Sequence, residues 1–124
     1  MKALLALSLL AVSIWQPAQA LAADAAAGEQ VFRRICSTCH IATAEGRRGV
    51  GPTLFGVVGR KSGTVDGFRY SPANQAAGIV WTPEILDKYI ANPREVVPGT
   101  SMTYAGLRND ADRANVIAYL QTLK

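Results

Sequence analysis

Histidine occurs once and cysteine twice in the 124 residues of this chain. These scarcities exclude a good deal. A structural zinc site takes about four sulfur or imidazole ligands, and the chain offers fewer. A framework of several disulfides is also out of reach. Lysine is confined to Lys2, Lys61, Lys88 and Lys124, so arginine carries most of the positive charge. No basic cluster is interleaved with aromatics, which argues against nucleic acid as a partner. Long apolar runs are missing too: the stretch from Ala3 to Trp15 covers about 13 residues, against the roughly 20 that cross a bilayer, so no stable membrane insertion is expected.

That stretch follows Lys2 and precedes Pro17 and the small-residue ending Ala18-Gln19-Ala20. Residues 1–22 therefore read as a secretory signal peptide, cleaved between Ala20 and Ala22. The mature chain, 23–124, is short enough for one domain, and it would work outside the cytoplasm, where free thiols are rarely kept. Removing the signal leaves a net charge of about +3, mildly basic.

From Asp24 onward, Gly28, Val31, Phe32 and Ile35 recur at helical spacing. Residues 41–67 are glycine-rich and contain Pro52, which predicts loop, with room for a short helix at 71–77. Thr82-Pro83-Glu84 forms a helix start, and Asn92-Pro93 reads as its stop. A last helix opens at Asn109-Asp110, with Val116, Tyr119, Leu120 and Leu123 on one stripe. Gly28 lets the two terminal helices cross closely. A glycine-rich middle of about 40 residues is too long to be an empty loop in a small domain, so something should sit inside it.

Both cysteines and the histidine stand together as Cys36-Ser37-Thr38-Cys39-His40. In C-x-x-C-H the thiols lie about one helical turn apart and can each add to a haem vinyl group, while the imidazole reaches the iron from the same side. The competing readings are a zinc site short of ligands and a thioredoxin-like dithiol, which would belong at a strand-to-helix junction rather than after a helix. The opposite face of the iron needs a second ligand, and Met102, in Pro98-Gly99-Thr100-Ser101-Met102, is the one thioether left after signal removal. A methionine there can also be a core filler, and a lysine ligand or a vacant position are the alternatives. His/Met ligation raises the potential and leaves no place for substrate, which favours electron transfer.

The motifs CSTCH, GPTLFGVVGRKSG, GFRYSPAN, GIVW, PGTSM and IAYL, in this order from about Gly28 to Leu123, resemble the class I cytochromes c. The mitochondrial members are close relatives, and the signal peptide points to the bacterial periplasmic branch. The resemblance implies a single all-α cytochrome c domain over 23–124, with three main helices and glycine-rich loops wrapped around one haem c bound through Cys36 and Cys39. It implies His40 and Met102 as the iron ligands and Pro52 as acceptor of the His40 hydrogen bond. It places Tyr70 and Trp81 on a haem propionate, with Arg60 nearby to offset its charge, and Asn74, Tyr89 and Thr100 in a polar network beside the methionine. Each has a plainer reading: Pro52 as a turn residue, Trp81 stapled onto Leu86, Tyr89 as a core aromatic, Asn74 and Thr100 as surface positions.

The function implied is that of a soluble, monomeric, periplasmic one-electron carrier without enzyme chemistry of its own. By the same resemblance its partners are redox proteins with acidic docking faces: a cytochrome bc complex as donor, and a terminal oxidase, reductase or photosynthetic reaction centre as acceptor. Arg33, Arg34, Arg47, Arg48, Arg94 and Arg108 would form the docking ring. A dedicated subunit of one periplasmic oxidoreductase, or a haem peroxidase with a displaceable ligand, are the other readings.

Overall fold

Asp24 starts the first helix, because its carboxylate accepts the backbone N–H groups of Ala26 and Ala27 that a helix start leaves unpaired. The computed structural model that shows this describes residues 22–45 and 49–124. Apart from Ala22, the expected signal peptide lies outside the described residues, as do Arg47 and Arg48. Helix α1, Ala25–Val31, continues as a π-helical stretch over Phe32–Cys36, where the Ser37 N–H reaches back to the Phe32 carbonyl at 2.9 Å. The wider turn falls directly before the two cysteines. Such turns often mark functional sites.

The later helices begin where the cap residues predict. Ser71 caps α2, Pro72–Ala76, and Thr82 caps α3, Pro83–Ala91, each with proline in the first turn. Asn109 caps α5, Asp110–Thr122, by accepting the Asp112 N–H. The expected stop at Asn92-Pro93 is only half of what happens there. Asn92 closes α3, but Pro93 opens a further short helix, α4, Pro93–Val96. Proline has no N–H to lose at a first helical position, so one residue can end one helix and start the next.

Helices α1 and α5 cross at Gly28. A methyl group added there would overlap the backbone carbonyl oxygen of Asn115, which explains glycine at this place in a helix. The crossing is reinforced by the Asp24 N–H donating to Asn115 Oδ1 at 2.8 Å and by Phe32 against Tyr119, ring centres 5.4 Å apart. Arg113 of α5 is buried, and its charge is met by Asp87 Oδ1 of α3 at 2.9 Å and Asp110 Oδ1 at 2.7 Å, with the Leu107 and Arg108 carbonyls accepting as well. A buried charge is tolerable when its donors are filled in this way. It ties α5 to α3.

Among the described residues there is no strand, only a lone antiparallel bridge between Lys61 and Val80. Around it the Trp81 N–H donates to the Arg60 carbonyl and the Gly59 N–H to the Trp81 carbonyl, both at 2.9 Å. These bonds clamp the glycine-rich middle onto the start of α3. Of the ten buried core residues, Val57, Trp81, Leu86, Tyr89, Val116 and Leu120 also line one cavity. The core is therefore built around that space.

Candidate haem site

The cavity measures about 200 Å³, and its wall is mostly apolar. Cys36, Cys39 and His40 reach it from the end of the π stretch. Met102, Ser101 and Thr100 reach it from the loop between α4 and α5, and Arg60, Tyr70 and Asn74 from the middle segment. All the residues expected from the sequence line this space: Cys36, Cys39, His40, Pro52, Arg60, Tyr70, Asn74, Trp81, Tyr89, Thr100 and Met102.

Both cysteine sulfurs are unbridged. Burial pushes the Cys36 thiol up to about 11, so with nothing bound it is protonated at neutral pH. The His40 N–H donors are limited by one strong contact: Nδ1 lies 2.7 Å from the Pro52 carbonyl oxygen. Donation there fixes the proton on Nδ1 and leaves the Nε2 lone pair for the cavity. Burial, helped by the Arg60 charge, lowers the imidazole pKa against the opposing pull of the Pro52 hydrogen bond, and this net lowering favours the neutral ring that can ligate.

Met102 is held by two hydrogen bonds. Its backbone N–H donates to Thr100 Oγ1 at 3.2 Å, and the Tyr89 hydroxyl lies 3.4 Å from its Sδ. Thr100 Oγ1 donates in turn to Asn74 Oδ1 at 3.0 Å, and Ser71 Oγ donates to the same oxygen at 2.8 Å. With its hydrogen committed to Asn74, the Thr100 oxygen can only accept, so Thr100 Oγ1 at 3.5 Å and Met102 Sδ share the single hydrogen of the Tyr89 hydroxyl. The network therefore has one direction, from Tyr89 and Met102 toward Asn74. Sequence reasoning missed Ser71, which it read only as part of a short helix.

Arg60 is half-buried and spends two donors on backbone carbonyls, those of Phe55 and Thr53, each at 2.8 Å. Burial lowers its pKa, but a guanidinium remains charged under such a shift. The Tyr70 hydroxyl accepts the Val65 N–H at 3.2 Å, so its own proton is free. Among the described residues no acceptor meets the Trp81 indole N–H. Among the described residues no side-chain nitrogen or oxygen is both buried and unpaired, so that N–H is not sealed off inside the protein.

An apolar slot with two thiols at one side, a ring nitrogen and a thioether facing in, and a cation beside the Tyr70 hydroxyl and the Trp81 indole fits a haem: a flat apolar ring with an iron and two carboxylates. Lys61, Lys88 and Lys124 are absent from the wall, which leaves a lysine ligand no place. Among the described residues no group of three His, Cys, Asp or Glu side chains could hold a bare metal ion, so the zinc reading lapses too. Sequence reasoning also missed Gly51, Phe68, Leu54 and Tyr104 in the wall. Of these, Tyr104 had a findable signal, an aromatic two residues beyond Met102.

The family model for cytochrome c matches residues 25–124. A cytochrome c of Trypanosoma brucei brucei is 60% identical over 79 residues, covering 64% of this chain and 85% of its own. A cytochrome c2 of Rhodopila globiformis is 52% identical over 101 residues, covering 82% of this chain and 94% of its own. Among solved structures, cytochrome cH from Methylobacterium extorquens superposes with a TM-score of 0.74 at 42% identity, covering 80% of this chain and 98% of that one.

Proposed function

Because this chain belongs to the cytochrome c family, whose members carry covalent haem c and transfer electrons rather than catalyse, we propose that it is a soluble periplasmic electron shuttle working between larger redox proteins. The observation that carries this reading is the pairing of His40 and Met102 in the wall of one cavity, with Cys36 and Cys39 beside them. The haem that Cys36 and Cys39 would bind supplies a one-electron iron couple. His40 and Met102 would be its two protein ligands, which would leave the iron no place for a substrate. The Pro52 carbonyl, by accepting from Nδ1, makes His40 a better donor. Tyr89 and Thr100 hold Met102 in place. Trp81 and Tyr70 would offer their N–H and O–H donors to the propionates, and Arg60 would offset the propionate charge. The signal peptide reading at 1–22 supports export. Among the described residues no helix is long and apolar enough to cross a membrane.

Docking is the part of the reading that the ion pairs sharpen. Arg33 is occupied by Glu29 at 2.6 Å, and Arg34 lies 3.6 Å from Asp112. Among the described residues Arg94 and Arg108 have no such partner and are exposed. Fixed charges that are already neutralised contribute little to steering, so of the four ring arginines among the described residues Arg94 and Arg108 should carry most of it. Arg94→Glu and Arg108→Glu should each slow electron transfer to an acidic partner by roughly tenfold at low salt and flatten the dependence of the rate on ionic strength. Lys124→Glu changes net charge equally and should do little. Stopped-flow rates across a salt series decide it, and equal slowing by all three would mean that only net charge matters.

A further inference from the structure

Gly51 does not need to be glycine for its backbone. It is not among the glycines with positive φ, so any residue could adopt its conformation. Space is what requires it. A methyl group built on Gly51 would overlap His40 Cε1 and lie 2.6 Å from Nδ1 and 2.9 Å from Nε2. The backbone of residue 51 therefore lies against the imidazole ring itself. It is also fixed in position, since the Gly51 N–H donates to the Cys39 carbonyl at 2.9 Å. The next residue, Pro52, accepts from Nδ1 at 2.7 Å.

We propose that Gly51 is a positioning residue for the His40 imidazole: the Gly51 backbone limits how the ring can turn, while the Pro52 carbonyl fixes where Nδ1 points. One contact alone would leave the ring free to rotate about its hydrogen bond. With both, the ring has one plane, and Nε2 has one direction into the cavity. This rests on reading His40 as the iron ligand. A side chain at 51 leaves two ways out. Either the ring turns with Nδ1 still bonded, or the loop lifts and the Nδ1–Pro52 bond is lost. Both change the orientation of the ligand without touching Met102 or the cysteines.

The test uses NMR of the intact haem-loaded protein. Large hyperfine shifts of the His40 ring protons in the oxidised parent establish ligation, independently of Gly51. If those shifts are absent, the ligand reading fails rather than this one. Given ligation, Gly51→Ala should rearrange the order of the haem methyl shifts and speed exchange of the Nδ1 proton, on the order of tenfold if one hydrogen bond is weakened. Thr43→Ala, at an exposed position of the same segment outside the cavity wall, should change neither. A Gly51→Ala protein with the parent's methyl pattern and Nδ1 exchange overturns the proposal. Should that variant fail to accumulate, the parent decides: a nuclear Overhauser effect between the Gly51 α-protons and His40 Hε1 supports it, and its absence overturns it.

Discussion

Met102→Ala is expected to lower the reduction potential by a few tenths of a volt, a large part of the roughly 0.8 V that axial ligands span, and to let the reduced protein bind carbon monoxide at neutral pH. The thioether favours the reduced iron over water or a nitrogen donor. No residue on the wall replaces it well. The lysines of the mature chain lie elsewhere, and the other oxygen donors of the wall are the phenols of Tyr70, Tyr89 and Tyr104, the hydroxyls of Thr100 and Ser101 and the Asn74 amide, all harder than a thioether. The parent, with both axial positions filled, should not bind carbon monoxide. Redox titration and carbon monoxide difference spectra on the two proteins check this. A variant with the parent's potential and no carbon monoxide complex would make Met102 a core filler.

The second large effect is on folding. A double variant with Cys36→Ala and Cys39→Ala, exported to a periplasm competent for haem attachment, should yield a largely unfolded polypeptide. More than half of the buried core residues face the cavity, so without the haem each loses packing on one side. A domain of this size has only about 5–15 kcal/mol of stability to lose, and burial of a large apolar ring against Leu86, Val116 and Leu120 is a term of that order. Far-ultraviolet circular dichroism of the variant should show little helix. A compact helical protein would mean that the polypeptide folds first and the cofactor only fills a preformed space.

What could be read from the sequence is what is encoded locally. Thr82-Pro83 and Asn109-Asp110 announce helix starts because a cap is a short-range hydrogen bond. The C-x-x-C-H run announces its chemistry because covalent attachment fixes the spacing of its parts. The π stretch over Phe32–Cys36 carries no such signal, since nothing in those residue types prefers the longer hydrogen bond. Pro93 was ambiguous, as proline both stops a helix and begins one. Gly51 was hidden among other glycines of its segment, and its reason emerges only when the His40 ring is seen against it. Ser71 reads in the sequence only as part of a short helix; its bond to Asn74 is local, but the bond from Thr100 to that same Asn74 oxygen is a contact across the fold. Arg33 and Arg34 look like free charges in the sequence. Their neutralisation by Glu29, one helical turn away, and by Asp112 of α5 depends on side-chain placement and on the helix crossing.

The central claim is that one haem, held by Cys36 and Cys39 and ligated by His40 and Met102, makes this chain a one-electron carrier. A spectroelectrochemical titration of the purified mature protein tests it most directly. The account predicts the absorption of a six-coordinate low-spin c-type haem in both redox states, with a single reversible transition whose slope corresponds to one electron, about 59 mV per decade. A high-spin spectrum, a two-electron slope of about 30 mV per decade, or a protein in which both thiols remain titratable and no haem band appears would contradict it.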